Sequence, residues 1–167
     1  MDYRKARILL RDNGCDKQVL EHCTAVSELA HDIAKRIEAN GTSIDTEFVK
    51  VAGLLHDIGR SRTHGIDHGI AGADILKDYP KYARVCERHI GAGLKAEEAL
   101  RLGLPAKDYM PETLEEKVIA HADNLVDCSK VITLEETLED MMKKLGPDHP
   151  QIRRTRELGN YIDSLID

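Results

Sequence analysis

Helical periodicity is the feature of this 167-residue sequence that most limits the fold it can adopt. Every long periodic segment repeats its apolar residues at the helical spacing, and none alternates convincingly as a strand. Asn-Gly, Gly-rich and Pro-containing stretches separate the segments, and such stretches end helices. The sequence therefore predicts an all-α fold, a compact helical bundle of eight or nine helices formed by residues 1–167 as a single domain. The predicted helices cover about residues 2–12, 16–39, 45–57, 67–78, 81–90, 96–102, 112–127, 133–145 and 148–166.

Charge and composition narrow the class of partner. The formal net charge is -6 and the pI is near 5.8, which argues against a nucleic acid partner because proteins that bind nucleic acid backbones are basic. A small phosphorylated substrate remains compatible, since a local site can bind it. No apolar run reaches the roughly 20 residues of a membrane helix, and no charged-then-apolar leader is present. We therefore expect a cytoplasmic protein without a membrane partner, whose cysteines are free thiols because they lack Cys-x-x-Cys spacing: Cys15, Cys23, Cys86 and Cys128.

An adjacent imidazole and carboxylate end the apolar run Gly-Leu-Leu-His-Asp-Ile-Gly, residues 53–59. Holding His56 and Asp57 in a dry setting is costly unless something compensates both groups, and a metal ion is the natural compensation. Gly59 is expected to end the helix, which would leave the pair on its last turn, pointing inward.

Helical geometry places four of the eight histidines on inward faces of four different helices: His22, His56, His68 and His89. His31 lies nine residues after His22, about half a turn away, so it is predicted to face solvent. One inward histidine is usually a hydrogen-bonded core residue. Four of them need partners for eight ring nitrogens, which an aliphatic core does not supply, so the set favours a metal site.

The ordered set resembles the HD superfamily of metal-dependent phosphohydrolases, in its HDIG type. The intervals are 34 residues from His22 to His56, 11 from Asp57 to His68, 21 to His89 and 34 to Asp123. The strongest segments read His-Asp-Ile-Gly-Arg and Asp-His-Gly-Ile-Ala-Gly-Ala-Asp-Ile-Leu. The size and layout are similar to those of bacterial HD-type symmetrical diadenosine-tetraphosphate hydrolases and of small stand-alone archaeal HD proteins. The Gly-Tyr-Pro extension of HD cyclic-dinucleotide phosphodiesterases is not visible.

The resemblance implies a two-metal centre with Asp57 as a bridge between two divalent transition-metal ions. One ion would be held by His22, His56 and Asp123, and the other by His68 and His89. Iron or manganese is favoured by the resemblance, and zinc, nickel and cobalt suit the same nitrogen and oxygen ligands. Two assignments stay open, because Asp127 could replace Asp123 and His64 could replace His68.

The function expected from this resemblance is hydrolysis of a phosphoester or phosphoanhydride, with a nucleotide or related compound as substrate and a metal-bridging hydroxide as nucleophile. Asp57, Arg60 and His64 are the candidate catalytic residues. The candidate substrate-binding residues lie mostly just after the His-Asp pair: Arg60, Arg62, Thr63 and Lys95. Two alternatives remain, a two-iron HD-type oxygenase and a non-catalytic metal- or ligand-binding domain. An apolar stripe from Leu134 to Leu145 is expected to close the core, although it could instead support a homodimer.

Overall fold

The structure is a computed structural model that describes residues 1–166, and nine α-helices account for most of that part of the chain. The helices are α1 Tyr3–Asp12, α2 Lys17–Ala39, α3 Thr46–Leu55, α4 His68–Ile75, α5 Pro80–Arg88, α6 Ala96–Arg101, α7 Leu114–Asn124, α8 Leu134–Leu145 and α9 Pro150–Ile166. One short 3-10 helix, Ile58–Ser61, and a hairpin of β1 Val126–Asp127 with β2 Lys130–Val131 complete the elements. The all-α prediction is confirmed.

Side-chain caps explain where several helices begin. Asp2, Asp16 and Asp45 each accept a hydrogen bond from a backbone N–H of the first helical turn, which satisfies a donor that the helix leaves free. Thr113 and Thr133 form capping boxes with the glutamates three residues later. Local sequence therefore sets these boundaries before any tertiary packing is considered.

Helix α2 is the centre of the packing, because α3, α7 and α9 all lie against it. A first apolar cluster joins these helices through residues such as Val26, Ile37, Val49, Ile119 and Ile162. A second cluster lies under α1 and includes Leu10, Cys23, Leu54, Leu55, Ile58 and Cys86. Full burial of one such aliphatic side chain contributes roughly 1.5–3 kcal/mol. Core packing therefore fixes α2, α3 and α5 through both clusters and α7 through the first.

Gly59 does not end a helix as predicted. Its role is to let α4 approach closely. Helix α3 ends at Leu55, before the His-Asp pair, and Gly59 lies inside the 3-10 helix instead of ending α3. A β-carbon at Gly59 would overlap the carbonyl oxygen of His68 and the amide of Gly72. A β-carbon at Gly69 would come within 2.5 Å of the carbonyl oxygen of Cys86 on α5. These glycines let the backbones approach, which brings α4 against both the His-Asp segment and α5.

The prediction that His31 faces solvent is wrong, since its exposed fraction is only 8%. A β-carbon at Gly53 of α3 would lie 3.1 Å from the Cα of Ser27 on α2, so the two helices run unusually close. Because the helices are so close, α3 residues lie against His31: the Glu47 carboxylate is 3.7 Å from Nε2 of His31. Burial is the main reason why the pKa of His31 is lowered.

The apolar stripe of α8 is only partly in the core. Helix α8 packs against α9, where Leu138 is buried and Leu134 lies next to Gly159. Leu145 at the end of the helix is exposed. Among the described residues, no helix combines the length and the apolar character needed to cross a bilayer.

Candidate metal centre

Four helix termini and one helix interior bring the predicted ligands together. His56 directly follows α3, His68 begins α4, and His89 directly follows α5. His22 projects from the interior of α2, and Asp123 lies in the last turn of α7. All six predicted ligands converge, although they are spread over a hundred residues of sequence: His22, His56, Asp57, His68, His89 and Asp123.

The two carboxylate oxygens of Asp57 face different pairs of histidines. Its Oδ1 lies 3.1 Å from Nε2 of His68 and 3.3 Å from Nε2 of His89. Its Oδ2 lies 3.8 Å from Nε2 of His56 and 3.9 Å from Nε2 of His22. One buried carboxylate, only 2% exposed, therefore stands between two groups of nitrogen donors.

Asp123 joins the second of these groups. Its Oδ1 lies 2.9 Å from Nε2 of His22 and 3.3 Å from Nε2 of His56. His22, His56 and Asp123 have ligand atoms close enough to share one ion, as do His56, Asp57 and His89. The alternative residue Asp127 lies in β1, exposed, and outside both groups.

A backbone carbonyl next to Nδ1 fixes the ring orientation of each ligand histidine. Nδ1 of His56, His68 and His89 lies 2.6–2.8 Å from the carbonyl oxygen three residues earlier in the chain. His22 differs, because the carbonyls near it belong to the interior of a helix and are used there. Its Nδ1 instead lies 2.8 Å from the carbonyl oxygen of Cys128, 106 residues away. When Nδ1 donates its proton in this way, the lone pair of Nε2 points to the centre, as in metal-binding histidines.

The donor set fits a divalent cation. Nε2 of His68 and Nε2 of His89 lie 3.1 Å apart, and two lone pairs at that distance repel unless a positive charge lies between them. Nε2 of His56 and Oδ1 of Asp57 are buried without a hydrogen-bond partner. Such orphaned atoms are costly to bury unless an ion binds them. The cluster can therefore hold divalent metal, and its nitrogen and oxygen donors match the expected class of ions.

The electrostatics of the centre favour positive charge. Burial would raise the pKa values of Asp57 and Asp123, but the neighbouring histidines, His56 above all, hold both well below their usual range. Burial would likewise lower the pKa of His56, yet Asp57 and Asp123 outweigh it and raise that pKa to about 9. Burial dominates at His89 and lowers its pKa. Both carboxylates are thus ionised at neutral pH, as metal ligation requires.

A cavity of about 450 Å³ opens onto the centre. Its wall includes two predicted ligands, His22 and Asp57, and two predicted catalytic residues, Arg60 and His64. Arg60 donates from Nε to Oδ2 of Asp57 at 2.5 Å, and its side chain is one-third exposed. Because only Nε contacts Asp57 in this arrangement, the terminal nitrogens of Arg60 remain available to a ligand in the cavity.

Three other predicted substrate contacts lie elsewhere. Arg62 donates to Asp74 on α4, and the hydroxyl of Thr63 donates to Asp67. Lys95 caps α6, where its backbone amide donates to Glu98. None of the three is among the residues that line the described cavity. His64 is exposed at the cavity and outside the ligand cluster, where His68 takes the position that His64 was considered for.

Sequence reasoning missed the contribution of the β1–β2 hairpin. Cys128 supplies a backbone carbonyl to His22, and both Cys128 and Ser129 line the cavity. Asn124, next to Asp123, donates to the carbonyl of Gly91, two residues after His89. A backbone carbonyl is present at every residue, so no sequence motif could have predicted which carbonyls accept these hydrogen bonds.

Comparison with known proteins shows the family to which the chain belongs. The family model of the HD domain matches residues 19–126, which is more than half of the chain. The chain belongs to the HD-domain family. A solved structure with the same HD-domain fold is the HD domain of the L. monocytogenes phosphodiesterase PgpH, at a TM-score of 0.58 and 19% identity, covering 94% of this chain and 96% of that one.

Relatives of this HD-domain protein have differing descriptions. An uncharacterised protein of Methanocaldococcus jannaschii is 49% identical over 169 residues, covering 99% of both chains. A tRNA (cytidine(56)-2'-O)-methyltransferase of Picrophilus torridus is 42% identical, and this chain spans 47% of its length. Ribonuclease Y of Clostridium botulinum is 30% identical over 131 residues, covering 77% of this chain and 22% of the relative. This chain therefore spans less than half the length of each of the last two relatives.

Proposed function

We propose that this HD-domain protein is a metal-dependent phosphohydrolase that cleaves a phosphoester of a nucleotide or related compound, with a phosphodiester favoured. The observation that carries the proposal is the placement of Asp57, whose two oxygens face separate histidine pairs. A carboxylate placed in this way could contribute one oxygen to each ion of a two-metal centre. His22, His56 and Asp123 would hold one ion, and His68 and His89 the other, with iron or manganese favoured.

The comparisons support a phosphodiester over other phosphate compounds. The structural neighbour is described as a phosphodiesterase, and a second structure of its HD domain holds cyclic-di-AMP. Ribonuclease Y is by name an enzyme that acts on phosphodiesters of RNA. We favour a small nucleotide over a nucleic acid for this chain, because its net charge of -6 opposes binding to a polyanion.

In the proposed mechanism, two bound divalent ions would supply a hydroxide at neutral pH by lowering the pKa of a water to near ~7. Asp57 remains ionised and keeps one carboxylate oxygen opposite each pair of histidines. Arg60 fixes the position of Asp57 by donating a hydrogen bond from its Nε. The two terminal guanidinium nitrogens of Arg60 would stabilise the negative charge on the phosphate that the ions do not neutralise. His64, which lines the cavity, would give a proton to the leaving oxygen.

The test is an anaerobic hydrolysis screen of manganese- and iron-loaded protein on a cyclic dinucleotide, a linear dinucleotide, diadenosine tetraphosphate, a nucleoside monophosphate and a short RNA. We expect turnover of a small diester without oxygen. Arg60→Gln should lower kcat by about 10- to 1,000-fold. The control Arg153→Gln removes an exposed arginine of α9 that pairs with Glu157, and it should leave kcat unchanged.

Three results would contradict the proposal. Turnover that requires oxygen would favour the oxygenase alternative. A loaded protein without turnover on any of these compounds would favour a non-catalytic domain. Cleavage of the RNA in preference to every small nucleotide would overturn the assignment of a small substrate.

A further inference from the structure

The tip of the β1–β2 hairpin has a disfavoured backbone conformation. Its two-residue turn consists of Cys128 and Ser129, between the pairs Asp127–Lys130 and Val126–Val131. Cys128 has φ +56°, and within the described residues it is the one non-glycine residue with positive φ. Glycine is the usual residue at such a turn position, because a β-carbon crowds the backbone there. A disfavoured conformation persists only when its surroundings impose it.

The carbonyl oxygen of Cys128 supports the ring of His22. The other three ligand histidines use a carbonyl of their own segment, but His22 lies inside α2 and depends on this distant acceptor. Its side chain is also the most exposed of the four, at 18% against 0% for His56, 6% for His68 and 2% for His89. Packing therefore restrains His22 least of the four, and its orientation depends on the contacts of its two ring nitrogens, Nδ1 with Cys128 and Nε2 with Asp123.

We propose that the Cys128–Ser129 turn is a positioning element for His22, and that it sets the affinity of the ion shared by His22, His56 and Asp123. The left-handed backbone at Cys128 directs the carbonyl toward α2, which fixes the Nδ1–H tautomer and leaves Nε2 free to ligate. The inference rests on the metal centre of the proposed function, and it does not depend on which phosphate compound is cleaved.

The test compares three substitutions in a His68→Ala/His89→Ala background, in which only the His22 side retains its ligands. Cys128→Val places a β-branched residue at positive φ, which is strongly disfavoured, so the turn should change and withdraw its carbonyl. We expect its Kd for Mn²⁺ to rise about 10- to 100-fold, the usual effect of losing an outer partner of a metal ligand. Cys128→Gly keeps the carbonyl and accepts positive φ, so its Kd should stay within about threefold of the parent.

Ser129→Val is the matched control, since it puts the same side chain on the same turn at a residue without positive φ. Its Kd should also stay within about threefold. A second readout needs no metal. In metal-free protein Nε2 of His22 also lies 2.9 Å from the Asp123 carboxylate, so the readout is the proton on Nδ1 alone. NMR of the imidazole nitrogens should show that proton, and Cys128→Val should lose its signal while Cys128→Gly keeps it.

The outcomes separate this inference from the proposed function. If Cys128→Val lowers the thermal midpoint but leaves both Kd and the His22 signal unchanged, the turn is only structural and the inference fails. An equal rise in Kd in a His22→Ala background, where only the other ion binds, would overturn it as well. If the expected pattern of Kd values appears but no phosphate compound is hydrolysed, the inference stands and the proposed reaction fails.

Discussion

Stability of the metal-free protein should depend on pH through His56. Asp57 and Asp123 overcome the effect of burial and raise the pKa of His56 to about 9 in the folded protein, from an ordinary value of 6.5. The folded state therefore binds a proton that the unfolded chain releases near pH 6.5. This stabilisation is complete below pH 6.5 and is lost as pH rises toward 9.

The size of the effect follows from the proton count. One proton bound only by the folded state changes the free energy of unfolding by about 1.4 kcal/mol per pH unit. Between pH 6.5 and 8.5 the titration of His56 should thus cost the metal-free protein roughly 2 kcal/mol. His31, His89 and His121 have lowered pKa values, so each still adds up to about 0.4 kcal/mol of stability as the unfolded chain loses its proton between pH 6.5 and 7.5. The loss due to His56 is therefore the difference between the parent and a variant that keeps these three rings.

Urea unfolding followed by circular dichroism at half-unit steps from pH 6.5 to 8.5 measures this loss. Metal-loaded protein should show a nearly flat profile over the same range, because the ion replaces the proton of His56. His56→Gln is the control, since it removes the titrating ring and keeps the buried thiols that also respond at high pH. A metal-free profile as flat as that of His56→Gln would refute the electrostatic account of the centre.

Two further predictions concern packing and access. Gly59→Ala should lower the free energy of unfolding measured in urea by about 1–3 kcal/mol, because its β-carbon meets the backbone of His68 and Gly72. Gly65→Ala, whose β-carbon meets only the movable side chains of Asp67 and Thr63, should cost less, and equal costs would contradict the packing described here. A thiol reagent should label one cysteine quickly in native protein and four in denaturant, because Cys128 is exposed and the other three are buried. Rapid labelling of two or more native thiols would show that the core is more open than described.

The sequence predicted most of the fold because its helices carry their own signals. Periodicity located the helices, and the structure shows that aspartates at the first positions of two predicted ranges, Asp16 and Asp45, cap α2 and α3. The ligand set followed from inward positions together with a family resemblance. The periodicity of α2 alone could not predict that His31 is buried, since its burial depends on how closely α3 approaches α2.

The hairpin could not be predicted for a different reason. Its strands are two residues long, which is too short for alternation to show. Its contribution to the site is a backbone carbonyl at Cys128, which any residue type could provide. The positions of Arg62 and Thr63 relative to the cavity likewise depend on the path of the chain, which nearness to the His-Asp pair in sequence does not determine, and the same holds for the more distant Lys95.

Metal content tests the central claim most directly. Elemental analysis of protein purified without chelator, repeated on His22→Ala and His68→Ala, counts the ions that each histidine group holds. We predict two ions per chain in the parent and the loss of one in each variant, since Asp57 links two separate groups of ligands. One ion per chain that persists after His68→Ala would contradict the two-metal centre.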